Sequence, residues 1–151
     1  MTEIRKILPQ ERIRTVQLIH DVFMEFEAPD YSAEGVQTFL SYIENPQIFD
    51  ALVFYGAFLQ QKLVGVLAVK DGNHISLFFV DRDLHRRGIG TALFLYYLQE
   101  IDVHTVTVNA APIAVPFYEK LGFLKKNTEQ TENGIRYTPM QYLHRRKTHH
   151  V

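Results

Sequence analysis

HRRGIGTALF (His85–Phe94) sets two arginines and two glycines directly before an apolar run with helical character. A helix start leaves four backbone N–H groups unpaired and carries about half a positive elementary charge. Glycines there let an anion reach the backbone closely, and phosphate is the natural guest. Arg86 and Arg87 add forked, charge-assisted donors for phosphate oxygens. Upstream, HISLFFV (His74–Val80) reads as a strand. The glycines therefore stand between a strand and a helix, the setting an anion cradle needs.

Two familiar phosphate loops do not fit. No G-x-x-x-x-G-K-[ST] occurs in the chain. In a dinucleotide-binding unit the third glycine would fall at Leu93, and the first strand should open the fold rather than follow a meander.

Working outward, TEIRKI (Thr2–Ile7) alternates as a half-buried strand, and Ile13, Val16, Ile19, Phe23 and Phe26 recur at helical spacing after Pro9. Ser32 is placed to cap a second helix carrying Val36, Phe39, Leu40 and Ile43 on one face and ending at Pro46. LVFYGAFL, LVGVLAVK and HISLFFV then read as three antiparallel strands turned by QQK and DGN. GIGTALFLYYLQEI (Gly88–Ile101) has hardly any polar face and should be buried on more than one side. VHTVTVN forms the next strand, APIAVPFYEKLGF a short helix stopped by Gly122, and FLKKNTEQ and IRYTPMQYL two closing strands around ENG. The expected fold class is α/β, or α+β in some schemes: a mixed, mostly antiparallel central sheet flanked by helices. Residues 1–143 form one domain in this reading, and 144–151 a basic, frayed tail.

Bulk composition narrows the function. The 151 residues include 46% hydrophobic and 22% charged side chains, as in an ordinary globular protein. Sixteen basic against seventeen acidic residues leave a formal net charge of -1, so no global field draws in nucleic acid or an anionic membrane. Cysteine is absent, which removes disulfides, thiolate metal sites and cysteine nucleophiles and suits a cytosolic protein. No signal peptide, membrane span or metal-binding histidine spacing is present, so no metal is expected.

FFVDRDLHRRGIGTALF together with VNAAPIAVPFYEKLGF resembles the GCN5-related N-acetyltransferases. That family's signature is Gln or Arg, two residues, Gly, any residue, then Gly or Ala; Gly88 and Gly90 match the small positions, and His85 stands where Gln or Arg is usual. EQTENGIRYTPM (Glu129–Met140) is similar to the closing hairpin of one bacterial branch. The resemblance implies acetyl-coenzyme A as acetyl donor and a primary amine, small molecule or protein, as acceptor. It implies pyrophosphate binding by His85, Arg86, Arg87, Gly88, Ile89, Gly90 and Thr91. Pairing of pantetheine amides with the backbone of Phe78, Phe79 and Val80 is also implied, with a backbone N–H such as that of Phe79 for the oxyanion. Tyr118 matches the tyrosine that protonates the leaving thiolate, and Phe117 sits beside it in the cofactor-binding stretch.

Asn109 is placed to bind the cofactor or to cap the following turn. Glu25, Glu27, Asp30 and Tyr31 fall where the family shapes its acceptor pocket, and the three acids suit a cationic amine. His74 and Glu129 border the expected cleft, but neither is assigned as the general base. The apolar helix and sheet edges allow a homodimer. Two rival readings are a non-catalytic coenzyme A sensor and an interaction module using the helix from Ile89.

Overall fold

The computed structural model describes residues 2–84 and 87–144; His85, Arg86 and the tail beyond His144 lie outside the described residues. Strand β1 (Thr2–Lys6) leads through a 3-10 turn at Pro9–Glu11 into helix α1 (Arg12–Phe26). Helices α2 (Ala33–Glu44) and α3 (Pro46–Ala51) follow. Strands β2 (Val53–Leu59), β3 (Lys62–Lys70) and β4 (His74–Val80) form an antiparallel meander. Then come α4 (Ile89–Glu100), β5 (Thr105–Ala110), α5 (Val115–Leu121), β6 (Leu124–Lys125), β7 (Gln130–Glu132) and β8 (Ile135–Leu143).

The strands make one sheet in the order β1-β2-β3-β4-β5-β8-β6, with β7 on β8. Only β4 and β5 run parallel; the other pairs are antiparallel. This is the mixed, mostly antiparallel sheet expected from the order of elements. Its two faces carry separate cores. Leu93, Phe94 and Tyr97 of α4 pack with Val106, Phe123 and Met140 on one face. Ile19 and Phe23 of α1 and Ile43 of α2 pack with Val66, Leu77 and Phe79 on the other.

Three local expectations change. Pro46 does not simply end the second helix: Asn45 accepts the Gln47 N–H at 2.9 Å, and Pro46 opens α3 at the first helical position, where its missing N–H costs nothing. The run FLKKNTEQ is not one strand but two short ones, β6 and β7, both paired to the long β8. Helix α4 buries one broad stripe rather than its whole girth, and Leu95 on its outer side is 52% exposed.

Two contacts tie the N-terminal segment down. Glu11, 8% exposed, accepts from Arg5 Nη1 and Nη2 at 2.8 and 2.7 Å, from the Leu8 N–H at 2.8 Å, and from Arg14. Arg5 also lies over the Phe58 ring at 3.9 Å. These bonds, Arg5's first, outweigh burial and hold the Glu11 carboxyl well below the usual carboxylate range. The second contact is a backbone approach. A Cβ on Gly35 would lie 2.1 Å from the Gly134 carbonyl oxygen, and one on Gly134 would lie 2.3 Å from Ser32 Oγ. Gly134 also holds φ at +79°, so only glycine suits the tip of the β7–β8 turn, which rests on the start of α2.

Glu11→Gln should lower stability by about 1–3 kcal/mol at neutral pH, as measured by urea unfolding, because two arginines lose their charged acceptor. The native carboxyl titrates below its ordinary value of 4.5, so its contribution is complete above that value. The gap between wild type and variant should therefore narrow as pH falls below about 4.5.

Candidate active site

The site begins where two strands separate. β4 pairs with β5 only at His74↔Thr107 and Ile75↔Val108. On its other side the register slips between Ala68↔Leu77 and Val69↔Ile75, which makes Ser76 a bulged residue. A bulge bends a strand, and beyond Ser76 β4 leaves β5, opening a gap in the sheet. The Asp81 N–H donates to the Val64 carbonyl at 2.8 Å, which sets the alternation of this stretch. Phe79 therefore shares Asp81's side and turns its N–H toward β3, whereas the N–H of Phe78 turns into the gap. This corrects the expectation that the Phe79 amide faces the reacting centre.

Two cavities meet at the gap. One, of about 340 Å³, is mostly apolar, walled by Val22, Phe26, Val80, Gly90, Ile113 and Phe117. The other, of about 330 Å³, is more polar and runs along β4 past Tyr31, Tyr42, Lys70, His74, Ser76 and Asn109. Glu27, Phe78, Phe79, Ala114 and Tyr118 line both. The boundary between the two chambers is thus formed by a carboxyl, a phenol and the freed strand.

The α4 start flanks the apolar chamber. Gly88 takes φ of +74°, and nothing lies within 4 Å of where its Cβ would be. Gly90 is tight for a different reason: a Cβ there would sit 2.9 Å from Phe117 Cζ. Helical geometry leaves the N–H groups of Ile89, Gly90 and Thr91 without intrahelical partners, while the Ala92 N–H bonds the Gly88 carbonyl at 3.0 Å. The Arg87 N–H is taken by the Leu84 carbonyl at 3.1 Å, so it is not free for a ligand.

Tyr118 sits on α5, 4% exposed, its ring held edge-on by Phe123 at 5.2 Å and Phe117 at 5.5 Å. Burial first, and then the Glu27 charge, push its phenol far above the ordinary value. Glu27 closes α1, where the backbone turns toward the 3-10 turn at Ala28–Asp30. Burial and the nearby Asp30 carboxylate push the Glu27 carboxyl up to about 7. Tyr31 is shifted upward by burial, Glu27 and Asp30 against the opposing charge of Arg136.

The remaining sequence candidates divide clearly. Tyr31 lines the polar chamber with Glu27, but Glu25 and Asp30 line neither. Glu25 pairs with Arg82 at 3.1 Å, and Asp30 lies 3.9 Å from Arg136, so both acids are spent on surface pairs. Asn109 lines the polar chamber and not the apolar one. His74 lies in the polar chamber, its Nδ1 2.8 Å from Thr107 Oγ1, and burial lowers its pKa. Glu129 pairs with Arg136 at 3.1 Å outside both chambers.

A family model of the acetyltransferase (GNAT) domain matches residues 27–144, and the chain belongs to that family. It is similar in structure to a GCN5-related N-acetyltransferase from Rhodopseudomonas palustris, at TM-score 0.81 and 25% identity over 95% of this chain and 96% of that one. It is also similar to the PaiA N-acetyltransferase from Thermoplasma acidophilum solved with coenzyme A, at TM-score 0.73 and 18% identity over 95% and 99%. Apo YjaB from Escherichia coli follows at TM-score 0.72 and 20% identity over 94% and 97%. Among curated protein sequences, none matches. No helix among the described residues is long and apolar enough to cross a membrane.

A carboxyl whose native pKa is raised binds a proton in the folded state that it lacks in the unfolded chain, so ionising it costs stability. Between its ordinary value of 4.5 and about 7, wild type should therefore lose stability as pH rises. Glu27→Gln should remove that loss and give the higher Tm at pH 8 by thermal denaturation.

Proposed function

We propose that the chain transfers an acetyl group from acetyl-coenzyme A to a primary amine by direct attack, the donor entering through the apolar chamber and the acceptor through the polar one. The observation that carries this reading is the pair Glu27 and Tyr118 at the single place where the chambers meet. Acetyl-coenzyme A is a substrate here and supplies an activated acyl thioester.

The chain's own groups fit that donor. The N–H groups of Ile89, Gly90 and Thr91 point from a helix start, where a pyrophosphate is favoured. Phe78 offers a gap-facing amide and carbonyl that an extended pantetheine arm pairs with as an added strand would. Phe117 against Gly90 and Phe78 makes the apolar wall that keeps the arm dry.

Glu27 is the general base. An alkyl ammonium has a pKa of about 10.4, and a carboxyl near 7 takes its proton far better than an ordinary one near 4.5. The free amine then attacks the acyl carbon while the Phe78 N–H steadies the charge on the acyl oxygen. Tyr118 holds its proton firmly at rest and gives it to the departing sulfur, and the second proton of the attacking nitrogen restores it. The two groups are coupled: once Glu27 is protonated, the charge that opposed ionisation of Tyr118 is gone. Taking the amine's proton thereby readies the acid.

Thiol release measured over an amine panel tests the reading. Turnover dependent on an amine supports it; tight coenzyme A binding without any such turnover would make the chain a sensor instead. For an accepted amine, kcat/KM should fall below a pH of about 7, as Glu27 must be ionised to act. Glu27→Gln should lower kcat by about 10²–10⁴ and erase that limb, and Tyr118→Phe should lower kcat within a similar range of about 10²–10⁴. Gly90→Val, which drives a side chain into Phe117, should weaken coenzyme A binding at least tenfold in calorimetry.

A further inference from the structure

The polar chamber has a charge at each end. Its formally charged lining residues, among those described, are Glu27 at the reacting end and Lys70 at the other. Lys70 closes β3 directly opposite His74, the first residue of β4. Phe78 and Phe79 mark the reacting end of the same strand. At about 3.3 Å per residue, the four residues from His74 to Phe78 set the ends on the order of 13 Å apart. The reach of the two side chains into the chamber shortens that span.

We infer that the acceptor is an elongated primary amine carrying an anionic group at its far end, held by Lys70 while Glu27 takes the proton from its nitrogen. This rests on the transferase reading above and names the substrate class for it. Three features of the far end support it. Burial and the Lys70 charge depress the His74 pKa, so the imidazole stays neutral and does not compete for the role of cation. Asp71 opposes that shift less strongly than Lys70 drives it and is absent from the chamber lining, so the cation is the formal charge that faces the chamber at this end. The end is also rigid. Tyr97 Oη donates to the Gly72 carbonyl at 2.8 Å, Asn73 Nδ2 to the Thr105 carbonyl at 3.2 Å, and the Thr107 N–H to the Asn73 carbonyl at 2.9 Å.

The middle of the chamber mixes hydroxyls, with Tyr42 Oη 2.6 Å from Ser76 Oγ and Tyr31 and Thr38 nearby, with the apolar side chains of Phe39, Ile75 and Val108, which admits the methylene chain of an elongated amine. Arg136, the other cation of this region, is engaged by Glu129 and Asp30. Lys70 is thus the cation the chamber offers. A diamine would meet Lys70 with a like charge, and a simple alkylamine would leave it unmatched.

Aminocaproate, hexylamine and hexamethylenediamine share a chain and differ only at the far end, and acetyl-dependent thiol release compares them. Wild type should favour aminocaproate over both by at least tenfold in kcat/KM, through KM. In Lys70→Met the ratio of aminocaproate to hexylamine should fall about tenfold, and in Lys70→Glu the diamine should become the best of the three. Circular dichroism and Tm confirm that each variant is folded, which the exposed position of Lys70 favours. Equal use of the three amines, a preference for hexylamine or the diamine, or a ratio unmoved by Lys70→Glu overturns this proposal and leaves the transferase reading standing. Absence of thiol release with these and every other amine overturns both.

Discussion

Parallel neighbours in a sheet share a ladder of hydrogen bonds, and β4 and β5 share theirs for only two residue pairs before they part. The bulge at Ser76 imposes that parting, because an extra residue on one strand cannot keep step with both neighbours at once. The candidate site hangs from it. The strand half that leaves β5 exposes main-chain groups that would otherwise be consumed, and the space it vacates becomes the junction of two chambers. Helix α5 brings Tyr118 against that junction, and the end of α1 brings Glu27 against it from the other side.

Placing a carboxyl and a phenol at the same partly enclosed junction has an electrostatic consequence. Each is pushed toward its neutral form by burial, and the negative charge of one raises the pKa of the other. Such mutual opposition makes it costly for both to be ionised together. A reaction that protonates one while it deprotonates the other moves along the favourable diagonal of that coupling. The aromatic cluster of Phe78, Phe117 and Phe123 around Tyr118 maintains the effect by burying the phenol ring.

Much of this architecture is written in local pattern. Alternation in LVGVLAVK and HISLFFV, the Ser32 cap that accepts the Gly35 N–H at 3.2 Å, and Gly122 at φ +109° each follow from nearest-neighbour chemistry. So does the glycine pair at 88 and 90, although the sequence could not say that Gly90 is dictated by the Phe117 ring. Other features depend on partners distant in the chain. No residue of HISLFFV signals a bulge at Ser76, since the slip arises from how β3 meets it. Among Glu25, Glu27 and Asp30 the sequence shows three equivalent acids. Arg82 and Arg136 claim two of them, and only the fold reveals that Glu27 is left facing the chambers. The β6 and β7 segments were legible as extended chain, but their separation is set by the register of β8 on β5.

The contact between Gly35 and Gly134 also bears on how the molecule is made. The start of α2, a helix that lines the polar chamber through Thr38, Phe39 and Tyr42, rests on a turn synthesised long after it. On the ribosome α2 must wait for the β7–β8 turn to be synthesised before that seat exists. Nascent chains stalled before the β7–β8 hairpin should therefore hold the polar chamber unfinished.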